Sequence, residues 1–112
     1  MSARLATGVW VAAYLARLRV AGLAAYVVAK GDPTAGAVVV KLLRPGGGAV
    51  AMARQFDFET GGRLWRVMAE GDEREVDALL QRERGRDRDL WLIDVEDLQG
   101  MGLLDAEGLS EG

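Results

Sequence analysis

The run Asp94-Val95-Glu96-Asp97 is the sharpest concentration of groups that could do chemistry. In an extended strand residues two apart share a face, so Asp94 and Glu96 point together while Trp91, Ile93 and Val95 point the other way. Paired carboxylates suit Mg²⁺ or Mn²⁺, and a nearby lysine stabilises charge developing on a phosphate. Lys30 and Lys41 are the only lysines. A metal-dependent phosphoryl-transfer or nuclease-like centre built on Asp94 and Glu96, assisted by Lys41 or by an arginine of the run from Arg82 to Arg88, is therefore one reading. Two carboxylates without a third ligand are also what a solvated strand end carries, and a Lys41–Glu96 pair across a sheet is more simply structural. No residue is assigned a catalytic or metal-binding role on this basis.

Arg82, Arg84, Arg86 and Arg88 form a second candidate, because guanidinium forks suit phosphate and arginines outnumber lysines twelve to two. Glu83, Asp87 and Asp89 interleave them, which neutralises the patch and favours a salt-bridged helix end. Nucleic acid is not an expected partner. The triplet Gly46-Gly47-Gly48 lacks the Gly-Lys-Ser/Thr of a phosphate loop and reads as a turn.

The absences narrow the chemistry further. With zero Cys and zero His there are no disulfides, thiolate nucleophiles, Cys/His zinc sites or imidazole bases. Asn is also absent, and hydroxyl nucleophiles are limited to Ser2, Thr7, Thr34, Thr60, Ser110 and the tyrosines, none with an evident base. A non-enzymatic binding or protein-interaction module without a cofactor is the favoured expectation, and the phosphoryl-transfer enzyme is the alternative.

The elements that position these residues follow from apolar spacing. In 112 residues, half of them hydrophobic and 28% charged, there is room for one domain. Trp10, Val11, Tyr14, Leu15 and Leu18 recur at helical offsets over Gly8 to Ala21, with Thr7 as N-cap candidate and Gly22 as stop. Short apolar runs follow at Leu23 to Lys30, Ala37 to Leu43, Ala49 to Gln55 and Arg63 to Met68, separated by Gly- and Pro-bearing turns. The first two read as a hairpin, and all four as an antiparallel meander. Asp72 opens a helix that reaches about Arg84 and stops at Gly85. Leu90 to Val95 is a final strand, free to pair at an edge or between earlier strands.

The expected fold is thus α+β: a helix, a four-stranded antiparallel meander, a second helix and a last strand, with both helices on one sheet face. Residues 1–97 would form the domain and residues 98–112 a flexible, acidic, Gly-rich tail. Trp10, Tyr14, Leu18, Val38, Val40, Val76, Leu80 and Ile93 are the expected core.

Lys and Arg number seven against one acid up to Phe56, then seven against sixteen, an asymmetry that packed halves would largely cancel. The start lacks the uninterrupted apolar core of a signal peptide, and charges break every stretch long enough to span a bilayer. A soluble cytoplasmic protein without membrane contact is expected. Val-rich strands with few charges to guard an edge also favour a homodimer through a sheet edge.

Three motifs carry a family resemblance: Trp10-Val11-x-Ala13; Lys30-Gly31-Asp32 with Ala35-Gly36-Ala37-Val38-x-Val40-Lys41; and Asp87-x-Asp89-Leu90-Trp91-x-Ile93-x-Val95-Glu96-Asp97. Jointly they resemble the bacterial family known as domain of unknown function 1491, over nearly the whole chain up to Asp97. Arg88 and Ala29 stand where that pattern favours Pro and Arg. The resemblance implies a small soluble bacterial protein and supplies no catalytic residue.

Overall fold

The computed structural model describes residues 5–56, 58–59 and 61–105. Its elements are α1 (Thr7–Val20), β1 (Ala24–Ala29), β2 (Val38–Arg44), β3 (Gly48–Phe56), β4 (Arg63–Asp72), α2 (Glu73–Arg86) and β5 (Trp91–Glu96). The α+β class holds.

Helix α1 buries Trp10, Val11, Tyr14 and Leu18, the stripe its spacing dictates. Trp10 stacks on Tyr14 with ring centroids 4.9 Å apart, and the Arg54 guanidinium lies 4.9 Å from the Trp10 ring. Gly22 ends the helix at φ +77°, a left-handed conformation that favours glycine. Thr7 is not the N-cap. Ala6 takes that place, and the buried Thr7 hydroxyl donates instead to the Gly36 carbonyl at 2.9 Å. At α2 the Asp72 carboxylate accepts from the Arg74 amide at 2.9 Å, as an acidic cap should. This helix continues through Gly85 to Arg86, because one exposed glycine in a formed helix costs only about 1 kcal/mol.

The sheet has five strands in the order β1-β5-β2-β3-β4. Strands β2, β3 and β4 do run as an antiparallel meander. The expected hairpin of β1 with β2 does not form, since β5 lies between them, antiparallel to β1 and parallel to β2. The reason is visible in burial. β2 is buried at Val38, Val39, Val40, Lys41 and Leu42 in succession, and β5 at Trp91, Leu92, Ile93 and Val95. Strands apolar on both sides belong in the middle of a sheet, whereas β1 is exposed along most of its length and takes an edge.

Two apolar faces require two covers, so the helices do not share one face as expected. Trp10, Tyr14 and Leu18 of α1 pack with Val38, Val40, Leu42, Ile93 and Val95 on one side. Val76 and Leu80 of α2 pack with Val39, Ala49, Ala51 and Leu92 on the other. All eight expected core residues are buried.

The tail also departs from expectation for its described part. Leu104 is 1% exposed and belongs to the α1-side core, with Met101 and Leu103 against it. The Asp97 carboxylate accepts from the Gly100 and Gly102 amides at 3.1 and 2.9 Å, and Arg44 Nη1 donates to the Asp97 and Gly100 carbonyls at 3.0 and 2.6 Å. These bonds turn the chain back so that Leu104 fills a core position. Residues 106–112 lie outside the described part. Among the described residues, no helix is long and apolar enough to cross a membrane.

Candidate functional site

The parallel register of β2 and β5 sets Lys41 beside Asp94. Both side chains face α2, where Glu73 and Asp77, one helical turn apart, come down over them. Lys41 Nζ lies 2.6 Å from Asp77 Oδ1, 2.8 Å from Glu73 Oε2 and 3.3 Å from Asp94 Oδ2. The lysine is 3% exposed, whereas its carboxylate partners remain 27 to 50% exposed. A cavity of about 180 Å³ adjoins the cluster, reaching Lys41, Asp77 and Asp94 and walled by Val28, Leu80 and Leu92.

Burial disfavours the charged form of Lys41, but hydrogen bonds to Asp77 and Glu73 and the charge of Asp94 outweigh it and hold the ammonium well above the usual lysine range. Burial also pushes the Asp94 carboxyl upward, against the opposing pull of Lys41 and with help from the charges of Asp77 and Glu73. A lysine held protonated is neither a nucleophile nor a base. Three carboxylates surround the one ammonium. The chemistry of the cluster is that of a cross-link joining β2, β5 and α2.

Of the residues singled out by sequence, Asp94 and Lys41 are thus brought together, and Glu96 is not. It sits opposite Ala24 on β1, exposed at the strand end. Among the described residues, no three acids are grouped to hold a metal ion. The arginines do not converge on one ligand. Arg84 Nη2 donates to the Lys30 carbonyl at 3.0 Å, Arg86 pairs with Glu83 at 3.3 Å, and Arg82 and Arg88 are exposed. Ser2, Thr60 and Ser110 lie outside the described residues. Sequence reasoning missed Glu73 and Asp77, although their spacing of four on a helix opposite a lone lysine in an apolar strand was a usable signal. Tyr14, expected in the core and found there, also makes a bond the sequence did not announce: its hydroxyl donates to the Gly102 carbonyl at 2.8 Å, and its ionisation is pushed up by burial and by Asp97.

The motif residues of the turn between β1 and β2 serve architecture. A Cβ on Gly31 or Gly36 would run into the Asp89 carbonyl, and on Gly31 also into the Trp91 ring. Trp91 Nε1 donates to the Asp32 carbonyl at 2.9 Å, while the Asp32 carboxylate accepts from the Thr34 and Ala35 amides at 3.2 and 2.8 Å. The Pro33 and Thr34 carbonyls receive the Gly8 and Thr7 amides at the start of α1. The turn therefore locks α1, β2 and the beginning of β5 together.

A family model described as "Protein of unknown function (DUF1491)" matches residues 5–105, a span that includes all of these anchoring residues. The chain belongs to the DUF1491 family. Its fold is similar to a crystal structure of a DUF1491 family protein from Caulobacter crescentus, at 35% identity and TM-score 0.81 over 90% of this chain and 95% of that one. An NMR structure of a DUF1491 protein from the same species matches at 33% identity and TM-score 0.77, over 90% and 93% of the two chains. A solution structure of an A. tumefaciens protein matches at 30% identity and TM-score 0.74, over 91% and 92%. No curated protein matches the chain. DUF1491 membership confirms the resemblance carried by the three motifs and adds no activity.

Proposed function

We propose that this DUF1491 protein is a non-enzymatic protein-interaction module of the cytoplasm that receives a partner's strand along β1. The carrying observation is the contrast between its two sheet edges. β1 has no charged residue from Ala24 to Ala29 and leaves Tyr26, Val27 and Val28 exposed, at 57%, 41% and 49%. β4, the opposite edge, carries Arg63, Arg66, Glu70 and Asp72 and a bulge near Met68. Charges and bulges on an edge discourage pairing, and β1 lacks the charges. Its own irregularity, at Val28, leaves Ala24–Val27 as the regular stretch. Main-chain bonds along such an edge supply affinity, and alternate side chains supply selectivity. The groups a catalyst would need point the same way, because Lys41 and Asp94 are engaged with each other and with α2.

A photo-crosslinking residue at Tyr26, compared with one at Val67 on β4, tests the reading in the native cells. Joining to one recurrent chain at Tyr26 alone, with the joined residue located by mass spectrometry, supports it. Absence of any product, or equal products at both edges, overturns it. Titration of Mn²⁺ against wild type and Asp94→Ala/Glu96→Ala tests the enzyme alternative. Micromolar binding lost in the variant, together with Mn²⁺-dependent cleavage of nucleic acid, would replace the module by the enzyme.

A further inference from the structure

We infer that the strand received by β1 is the β1 of a second copy, paired antiparallel about a two-fold axis normal to the sheet. This rests on the reading of β1 as a binding edge and adds the identity and direction of the partner.

The two ends of β1 carry opposite charge. At the Ala24 end lies exposed Glu96, directly across the ladder from Ala24. At the Ala29 end lie exposed Lys30 and, bonded to its carbonyl, Arg84. Antiparallel pairing about such an axis keeps the α2 faces of both copies on one side, and brings the basic end of each copy to the acidic end of the other. Lys30 and Glu96 of the second copy then stand about two strand spacings apart, roughly 10 Å, which two extended side chains can close. Parallel pairing would set like charge beside like. The middle of the strand is also self-complementary. The pleat puts Tyr26 on the side of Asp94, and Val28 lines the cavity on that same side, so an aromatic ring of one copy can meet a β-branched side chain of the other. The result is a closed, isologous dimer with a continuous sheet in which neither β1 edge is left open.

Light scattering after size exclusion, with full-length protein over a range of concentration, reads the association directly. The wild type is expected at twice 12.0 kDa, and Tyr26→Lys/Val28→Lys at the single mass with an unchanged circular-dichroism spectrum. Lys30→Glu and Glu96→Lys are each expected to weaken association about fivefold or more, since symmetry counts each change twice. The double exchange Lys30→Glu/Glu96→Lys restores it, which a merely unfolded variant cannot do. A wild type of single mass at its highest soluble concentration, or a double exchange no tighter than the single variants, overturns the dimer. If Tyr26 nonetheless crosslinks to another protein, the edge reading stands and only the second copy is excluded as its occupant.

Discussion

Lys41 Nζ of β2 and Asp77 Oδ1 of α2, 36 positions apart in the chain, meet at 2.6 Å in a place where the lysine is almost fully buried. This contact, reinforced by Glu73 and Asp94, docks α2 on its face of the sheet alongside Val76 and Leu80. Replacing the ammonium by an apolar group of similar length leaves three carboxylates with one another as neighbours. Lys41→Met is expected to lower unfolding free energy by about 1–3 kcal/mol, below the value for a fully buried pair because water reaches the carboxylates. Urea denaturation checks this through the midpoint at unchanged slope.

The same cluster sets a pH dependence of the same sign for two of its members, in two separate pH ranges. Lys41 is raised, so its contribution is fully present below the ordinary lysine value of 10.5 and is lost as pH rises through the higher folded value. Asp94 is raised too, so the native state holds its proton more tightly than the unfolded chain does. That contribution is present below the ordinary value of 3.8 and is lost as pH rises through the folded value. Asp94→Asn is therefore expected to match or exceed wild-type stability at pH 7. Its advantage should vanish on acidification. Melting temperatures across pH 3 to 8 measure this, and a variant clearly less stable at pH 7 would contradict it.

Gly31 and Gly46 are expected to respond differently to alanine. At Gly31 the added carbon meets the Asp89 carbonyl and the Trp91 ring, both parts of the framework, and the loss should exceed about 2 kcal/mol. At Gly46 the surroundings are open and only the positive φ of 77° is penalised, at about 1 kcal/mol. Chemical denaturation of the two variants side by side gives the comparison, and equal losses would contradict the packing account.

Leu104→Ala should cost about 2–5 kcal/mol if the chain beyond Asp97 is an integral part of the core. A loss under about 0.5 kcal/mol would return this segment to the loose tail expected from its composition.

Much of the fold was legible in local pattern. The α1 stripe, the Asp72 cap and the Val38-Val39-Val40 strand each announce themselves within a few residues, because helix and strand periods and turn chemistry act over that range. The site was legible in half. Asp94 and Lys41 stand out by type, but which of them meet depends on register, and Lys41 found Asp94, Glu73 and Asp77 where Glu96 had been considered. The composition of residues 98–105 resembles a loose tail because its buried anchor, Leu104, follows two glycines, and the partners that hold the segment in place, Arg44 on Gly100 and Tyr14 on Gly102, lie 56 and 88 positions away.

By itself the sequence determined the element types, the eight apolar core positions on the helices and strands, the family and the absence of thiol and imidazole chemistry. Those properties depend on residue identity and on spacing along a few turns of chain. Only the tertiary structure decided that β5 enters between β1 and β2, that the helices cover opposite faces, and that a lone buried lysine has three acidic partners. The turn from Gly31 to Gly36 has all the local marks of a hairpin, yet it is held open by the Asp89 carbonyl and the Trp91 ring more than fifty residues away. Strand order is set by which faces must be buried across the whole sheet, and no short window of sequence contains that sum.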